Sequence, residues 1–343
     1  MKEKEVVTIE AGAGGEKSSE LISEIRKILK VKGAWKNLDD DGAVLDLAPT
    51  LSLKRRGRTM KFGQMSKLVF TTDAFIVDPI FFPGGDIGKI AMTGTINDLA
   101  MMGAKPLGIS LSLVIEEGFP KEDLRKILSS INKVSEETGV PIVTGDTKVT
   151  EKGKIDKIEI TTAGIGVAER VIESGGAKPG DVVIASGDLG EHAVALLAAR
   201  FNYQTKIKSD CKTLEKEIRA VGKYLTSAKD PTRGGSAAVL NEIAEKSKVK
   251  IVLEENKLPF KKDTIAISEL LGIDKFSFPS EGRFVGTVSE KNAGRILKIL
   301  TKFNKEAKII GRIEKGKGVF LKTNLGAVKK IEVPRGKLIP RIC

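Results

Sequence analysis

Histidine is nearly missing from this chain: His192 is the only one in 343 residues. That excludes a histidine metal cluster, and a Ser-His-Asp triad has nothing else to rest on. His192 opens the apolar run HAVALLAARF and reads as a structural residue. Cysteine is almost as scarce, with Cys211 and Cys343 far apart and no CxxC spacing. A disulfide framework or a cysteine zinc site is therefore unsupported, and a reducing, cytoplasmic setting is expected. No apolar run approaches the roughly 18 residues that would span a bilayer. The start, MKEKEVVTIE, has charges where a signal peptide needs an apolar stretch. With 5% aromatics and no recognisable binding motif, the chain has little with which to stack on nucleic acid.

The balance that is present, 41% hydrophobic and 30% charged, lets the chain bury real cores. Its length suggests two domains at about 100–200 residues each. The net charge of +13 is uneven, because residues 1–150 carry 21 basic and 21 acidic side chains. All of the surplus lies in 151–343, mostly as single lysines, and reads as a solvated surface rather than a polyanion site.

The first half alternates apolar runs with helical stretches. Residues 67–77, 106–115, 141–146 and 155–168 read as strands, and 86–104 and 121–139 as helices, the second ending at Gly139. The Gly/Pro-rich ESGGAKPGD (173–181) punctuates the chain. After it come the strand DVVIASG, the helices EHAVALLAARF and GGSAAVLNEIAEK, and the strands KIVLEE, RFVGTV, KIIGRI and GVFLKT. This grammar is that of a mixed α/β protein. The basic insertion at 51–66 is expected to form an exposed hairpin or loop. The ending KKIEVPRGKLIPRIC, with two prolines, is expected to be an extended arm carrying a terminal thiol.

Several acids stand in apolar elements or at their ends. They are Asp40 and Asp41 before a strand, Asp73 within VFTTDAFIV, Asn97 with Asp98 in a small-residue helix, and Asp146 at a strand end. Burying an acid is costly unless it is paired or bound to a metal. As a set these oxygens suit Mg²⁺ shared with phosphates; taken singly, each also suits an N-cap or turn. GDTK (145–148) joins an acid, a hydroxyl and a lysine, and DPTRGG (230–235) places Arg233 ahead of a helix, where an anion fits. The glycine loop AGAGGEK before a helix is neither a dinucleotide fingerprint nor a Walker A loop. Glu281, between Pro279 and Gly282, reads by itself as a surface acid on a turn, and Cys211 as an incidental helix residue. Cys343 is a potential nucleophile on a mobile arm, although a terminal cysteine can also arise by chance.

TTDAFIVDPIFFPGGDIGKIAMTGTINDLAMMGAKPLGISLSLVIEEGFP, PIVTGDTKV, DPTRGG and the ending PRIC resemble the hydrogenase maturation family HypE, over about residues 6–343. That family lies within a wider ATP-binding group with aminoimidazole ribonucleotide synthetase (PurM) and selenophosphate synthetase. The resemblance implies a two-domain PurM-like α/β (α+β) fold. An N-terminal ATP/Mg-binding domain (1–168) pairs into a dimeric β-barrel-like core, followed by a C-terminal domain (169–332) and an arm (333–343). It implies an enzyme that uses ATP to dehydrate an S-carbamoyl group on its own terminal cysteine to a thiocyanate. The cyano group becomes the cyanide ligand of nickel–iron hydrogenase.

Implied partners are the carbamoyltransferase HypF, the HypC–HypD iron scaffold and a second copy, with no nucleic acid or membrane. By resemblance Asp41, Asp73, Asp98 and Asp146 hold Mg²⁺–ATP, with Asn97 and Arg233 alongside and Gly145 and Thr147 at the phosphates. Asp41 is preferred to Asp40. Cys343 carries the group, Glu281 is the base and Lys148 its charge partner. The family pattern departs here in the loop EAGAGGEKSS, which leaves Lys17 without an assigned role, and in PSEGRF, which keeps the glutamate but changes its neighbours. Another synthetase of the wider group stays an alternative, although the glycine loop lacks a selenium-handling cysteine and a purine enzyme has no use for PRIC. A non-catalytic scaffold is the third reading, against which the retained acids and lysine argue.

Overall fold

The computed structural model describes residues 16, 17, 19–21, 23, 36, 41–46, 52–55, 58–61, 67–334, 339 and 341–343. Asp40, the glycines of the N-terminal loop and parts of the arm and of the 51–66 insertion lie outside these residues. Within the insertion, Ser52–Arg55 and Arg58–Lys61 pair as an antiparallel hairpin.

The first half folds around a five-stranded sheet in the order Ala43–Asp46, Lys67–Phe75, Ile158–Ala168, Lys105–Glu116, Ile142–Thr150. Only the last pair is parallel, and the amphipathic helix Lys121–Thr138 connects it. That helix buries Ile127, Ile131 and Val134 at helical spacing and stops at Gly139, whose φ of 67° suits glycine. Along Lys67–Phe75 the period of two places Val69, Thr71, Asp73 and Phe75 on one face, turned to the core. An acid is thereby carried inward on a strand.

The helix Ile87–Met101 covers that face. Asp86 caps it by accepting from the Lys89 amide at 2.9 Å. The helix is buried nearly all round, because the sheet lies on one side and the second half of the chain on the other. Small residues allow this close packing: a Cβ at Gly94 would stand 3.0 Å from the Phe75 ring.

The second half forms a seven-stranded sheet in the order Leu225–Lys229, Val285–Ser289, Asp181–Ala185, Lys308–Glu314, Lys250–Glu254, Gly318–Lys322, Val328–Ile331. Helices Gly235–Ser247 and Glu290–Leu300 pack on it, while Glu191–Phe201 packs into the apolar cluster shared with the first half. Two expectations need correction. KKIE is no free arm, because Val328–Ile331 pairs with Gly318–Lys322 as an edge strand. Cys211 is not helical; it lies in an irregular segment, buried against Thr93 with Sγ and Oγ1 3.1 Å apart.

One apolar cluster crosses the two halves. Ile87, Ile90, Leu113 and Ile160 meet Ala193, Leu197, Ile207 and Phe278, and Ile339 and Ile342 from the chain end join them. Full burial of an isoleucine is worth about 1.5–3 kcal/mol, so these two side chains alone favour a folded-back chain end.

Candidate active site

Where the two halves meet, acids brought in on separate elements lie close together. Asp73 comes from its strand and accepts from Thr95 Oγ1 at 2.9 Å. Asp98, on the covering helix, accepts from Thr71 Oγ1 at 2.7 Å and lies within the field of Asp73. Burial first, then the Asp73 and Asp230 charges, hold the Asp98 carboxyl well above the usual range. Burial also raises Asp73, against the pull of Thr95 and Arg233. Asp41 meets Lys229 at 3.1 Å, and Lys229 also reaches Glu242 at 2.7 Å. Burial opposes the lysine charge, but Asp41 and Glu242 outweigh it and raise its pKa.

Asp230, one residue beyond the strand Leu225–Lys229, completes the group. Burial and the Asp41 charge push its carboxyl up to about 8, with Lys229 opposing. The motif DPTRGG was read for its arginine, and Asp230 was missed. Its signal was available, since an acid directly after a strand and just ahead of a helix stands at a strand end, where Asp146 was expected.

Glu281 overturns its isolated reading as a surface acid. It is 2% exposed, and Oε1 has no hydrogen-bond partner among the described residues. Its amide donates to Asp210 Oδ1 at 2.9 Å. A Cβ at Gly282 would lie 2.0 Å from the Asp210 carbonyl oxygen, so only glycine lets the turn seat this close. Burial first, then Asp230, Asp210 and Asp73, raise the Glu281 pKa strongly, with Arg233 opposing.

The chain end enters this site. The Ile76 amide donates to the Cys343 carbonyl at 3.4 Å and the Asp78 amide to the Arg341 carbonyl at 3.1 Å. The Arg233 charge acts on the Cys343 thiol, and its Nη2 reaches the Ala74 carbonyl at 3.5 Å. Burial and the Glu281 charge push the thiol up to about 12, with Arg233 opposing. An ordinary free thiol titrates near 8.5. Docking of the arm is therefore strongest below that pH and weakens as pH rises toward 12, because only the released thiol gives up its proton. Alkylation of Cys343 should keep climbing about tenfold per pH unit above pH 9, where a free cysteine levels off. A profile that flattens at pH 9 in a rate measurement on the intact protein would refute the docked state.

Other predicted residues lie elsewhere. Gly145, Asp146, Thr147 and Lys148 lie on the edge strand Ile142–Thr150, exposed along its length. They pair in register with Leu111 to Val114 and are not drawn into the acid cluster. Asn97 was expected beside a nucleotide, but its amide is committed to protein. Nδ2 donates to the Lys212 and Glu281 carbonyls at 3.0 and 3.2 Å, and Oδ1 accepts from the Leu214 amide at 2.7 Å. It clamps the Glu281 turn to the central helix. Among the described residues no three carboxylates form a set that holds a metal ion alone. The expected four-acid convergence is thus reduced to Asp41, Asp73 and Asp98, joined by Asp230.

Residues 39–168 match the family described as AIR synthase related protein, N-terminal domain, and 178–324 match its C-terminal domain. The chain is similar to a carbamoyl dehydratase HypE of Cupriavidus necator, with 40% identity over 97% of this chain and 93% of that protein. The crystal structure of a HypE–HypF complex superposes with a TM-score of 0.80 at 39% identity, covering 92% of this chain and 99% of that one. That of a HypE in complex with ATP superposes with a TM-score of 0.78 at 31% identity, covering 98% and 100%.

Proposed function

Because the chain belongs to the AIR synthase related family and, within it, to the HypE carbamoyl dehydratases of hydrogenase maturation, we propose that its cleft dehydrates a carbamoyl group carried on its own Cys343. The observation that carries this reading is the chain end held against the acid cluster, with the Ile76 and Asp78 amides on the Cys343 and Arg341 oxygens and the thiol within the fields of Glu281, Arg233 and Asp73.

A carboxamide oxygen leaves poorly; once phosphorylated by ATP it leaves as phosphate. Two N–H protons must also go, so S–C(=O)NH₂ becomes S–C≡N with net loss of one water. Glu281 is the base. Its unpartnered, buried oxygen has a free acceptor position for the carboxamide N–H, and its raised pKa makes it a stronger proton acceptor than an exposed glutamate. Arg233, beside the sulfur, steadies negative charge on the neighbouring oxygen. Asp41, Asp73, Asp98 and Asp230 form the ATP-binding acid set. Their mutual repulsion is the condition a divalent cation relieves, and the oxygen chemistry fits Mg²⁺ with phosphate oxygens completing its shell. When bound, Mg²⁺ neutralises charge on the transferring phosphoryl group.

The arm must leave the cleft to accept the carbamoyl group from a HypF partner and later present the product to a HypC–HypD scaffold. A second copy is proposed to cover the exposed edge strand, where Val143 and Val149 lie open with Asp146, Thr147 and Lys148. In that dimer Lys148 is proposed to be the charge partner of Glu281. No described helix is long and apolar enough to cross a membrane, and the free thiol suits a reducing cytoplasm.

The direct test is intact mass of the protein after incubation with the carbamoyltransferase, its carbamoyl donor and ATP. A carbamoyl adduct followed by loss of one water supports the reading; an unmodified chain overturns it. Asp98→Asn should cut ATP turnover by about 100-fold or more, since a metal contributes several kcal/mol. The melting temperature should hold or rise, because one repelled, buried carboxyl becomes neutral. Full turnover in that variant would remove Asp98 from the site.

A further inference from the structure

His192, read from sequence as structural, touches the chain end. Its ring is fully buried at the start of the helix Glu191–Phe201 and stands edge-on to Phe82 at 5.3 Å. Nε2 lies 2.7 Å from the Ile342 carbonyl, and Nδ1 lies 2.7 Å from Ser209 Oγ. A carbonyl only accepts, so Nε2 carries the proton and Nδ1 accepts from the Ser209 hydroxyl. Burial holds the ring neutral, with a pKa lowered to about 4, and one tautomer is defined. Ser209 is itself seated, donating its amide to the Pro83 carbonyl at 2.8 Å and accepting from the Cys211 amide at 3.1 Å. One helical turn or more further on, Arg200 Nη2 donates to the Arg341 carbonyl at 3.0 Å.

These bonds read the backbone of the arm, so they sense where it lies. The Ile342 carbonyl belongs to the peptide that leads into Cys343, and fixing it limits where the sulfur can point. When the arm leaves, the bond from Nε2 to that carbonyl is lost. We propose that His192, oriented by Ser209, is the positioning residue that latches the arm in the cleft and so sets the balance between its dehydrating and its carbamoyl-accepting positions. This rests on the proposed function, which requires the arm to visit both. The two halves of the reaction then respond in opposite directions. Weakening the latch slows the step inside the cleft and leaves the step outside it unchanged or faster.

The test uses the full chain with three variants. His192→Phe keeps a ring against Phe82 but removes both nitrogens. His192→Gln keeps a donor. Ser209→Ala removes the group that sets the tautomer. Iodoacetamide labelling of Cys343 at pH 8, followed by peptide mass, reports how often the arm is out. Single-turnover loss of water, on protein already carbamoylated and then given ATP, reports the step inside. For His192→Phe, labelling should rise about tenfold and water loss should fall about tenfold, with ATP affinity unchanged. His192→Gln should lie nearer the parent, and Ser209→Ala should shift both rates the same way by about threefold. A folded His192→Phe with both parental rates overturns the latch. If that variant does not fold, Ser209→Ala decides by the same two rates. If the parent itself loses no water, the proposed function fails, and the labelling rates still judge the latch.

Discussion

Cys343→Ala is expected to give a folded protein that binds ATP and makes no S-cyanate. The substitution removes one sulfur from the chain end. Ile339 and Ile342 keep their places in the core, and the backbone bonds to Ile76, Asp78 and His192 involve no part of the thiol. Stability should therefore change by no more than about 1 kcal/mol. The acids proposed to bind ATP lie on other elements, so nucleotide affinity should match the parent.

Product should vanish because no second carrier exists among the described residues. Cys211 is buried beside Thr93, and burial pushes its thiol up to about 12. Intact mass of variant and parent, each incubated with carbamoyltransferase, donor and ATP, measures this directly. An adduct of equal yield on Cys343→Ala would end the claim that the arm is the carrier.

Glu281→Gln tests the base. The amide has nearly the same shape but takes up no proton, and the step outside the cleft does not need it. Carbamoylation of Cys343 and ATP binding should persist, while single-turnover loss of water should fall by about 10²–10⁴, the usual share of a positioned base. Folding should not suffer. The glutamate charge is disfavoured by burial and by Asp230, Asp210 and Asp73, and a neutral amide removes that repulsion. The melting temperature is thus expected to hold or rise. Dehydration at the parental rate in a folded Glu281→Gln would assign the proton to another group.

The acids of the first half were legible because each breaks an apolar pattern. Asp73 stands at an inward position of a period-two strand, and Asp98 in a helix of small and apolar residues. Arg233 and Cys343 were legible as motif residues. Glu281 was legible only through resemblance, since two flanking turn-formers read locally as surface. Its burial comes from the Asp210 segment and the Asn97 clamp, neither of them near it in sequence. Asp230 was overlooked, and His192 was read only as structural, for the same reason. Asp230 acquires its raised pKa from burial and from Asp41, far off in the chain. His192 acquires its role from a carbonyl 150 residues away.

By itself the sequence determined the alternation of strands and helices, the stop at Gly139, the division into two halves and the thiol at the last residue. These follow from local rules: side-chain period, glycine at positive φ, and proline without an amide proton. Only the tertiary structure decided which acids share the cleft, and that Asn97 serves the protein and not a ligand. It also placed GDTK on an open edge strand and the tail inside the site. Such facts depend on contacts between residues far apart in the chain. A buried charge takes its energy from whatever the fold sets beside it, and a pattern read along one segment carries no record of that neighbour.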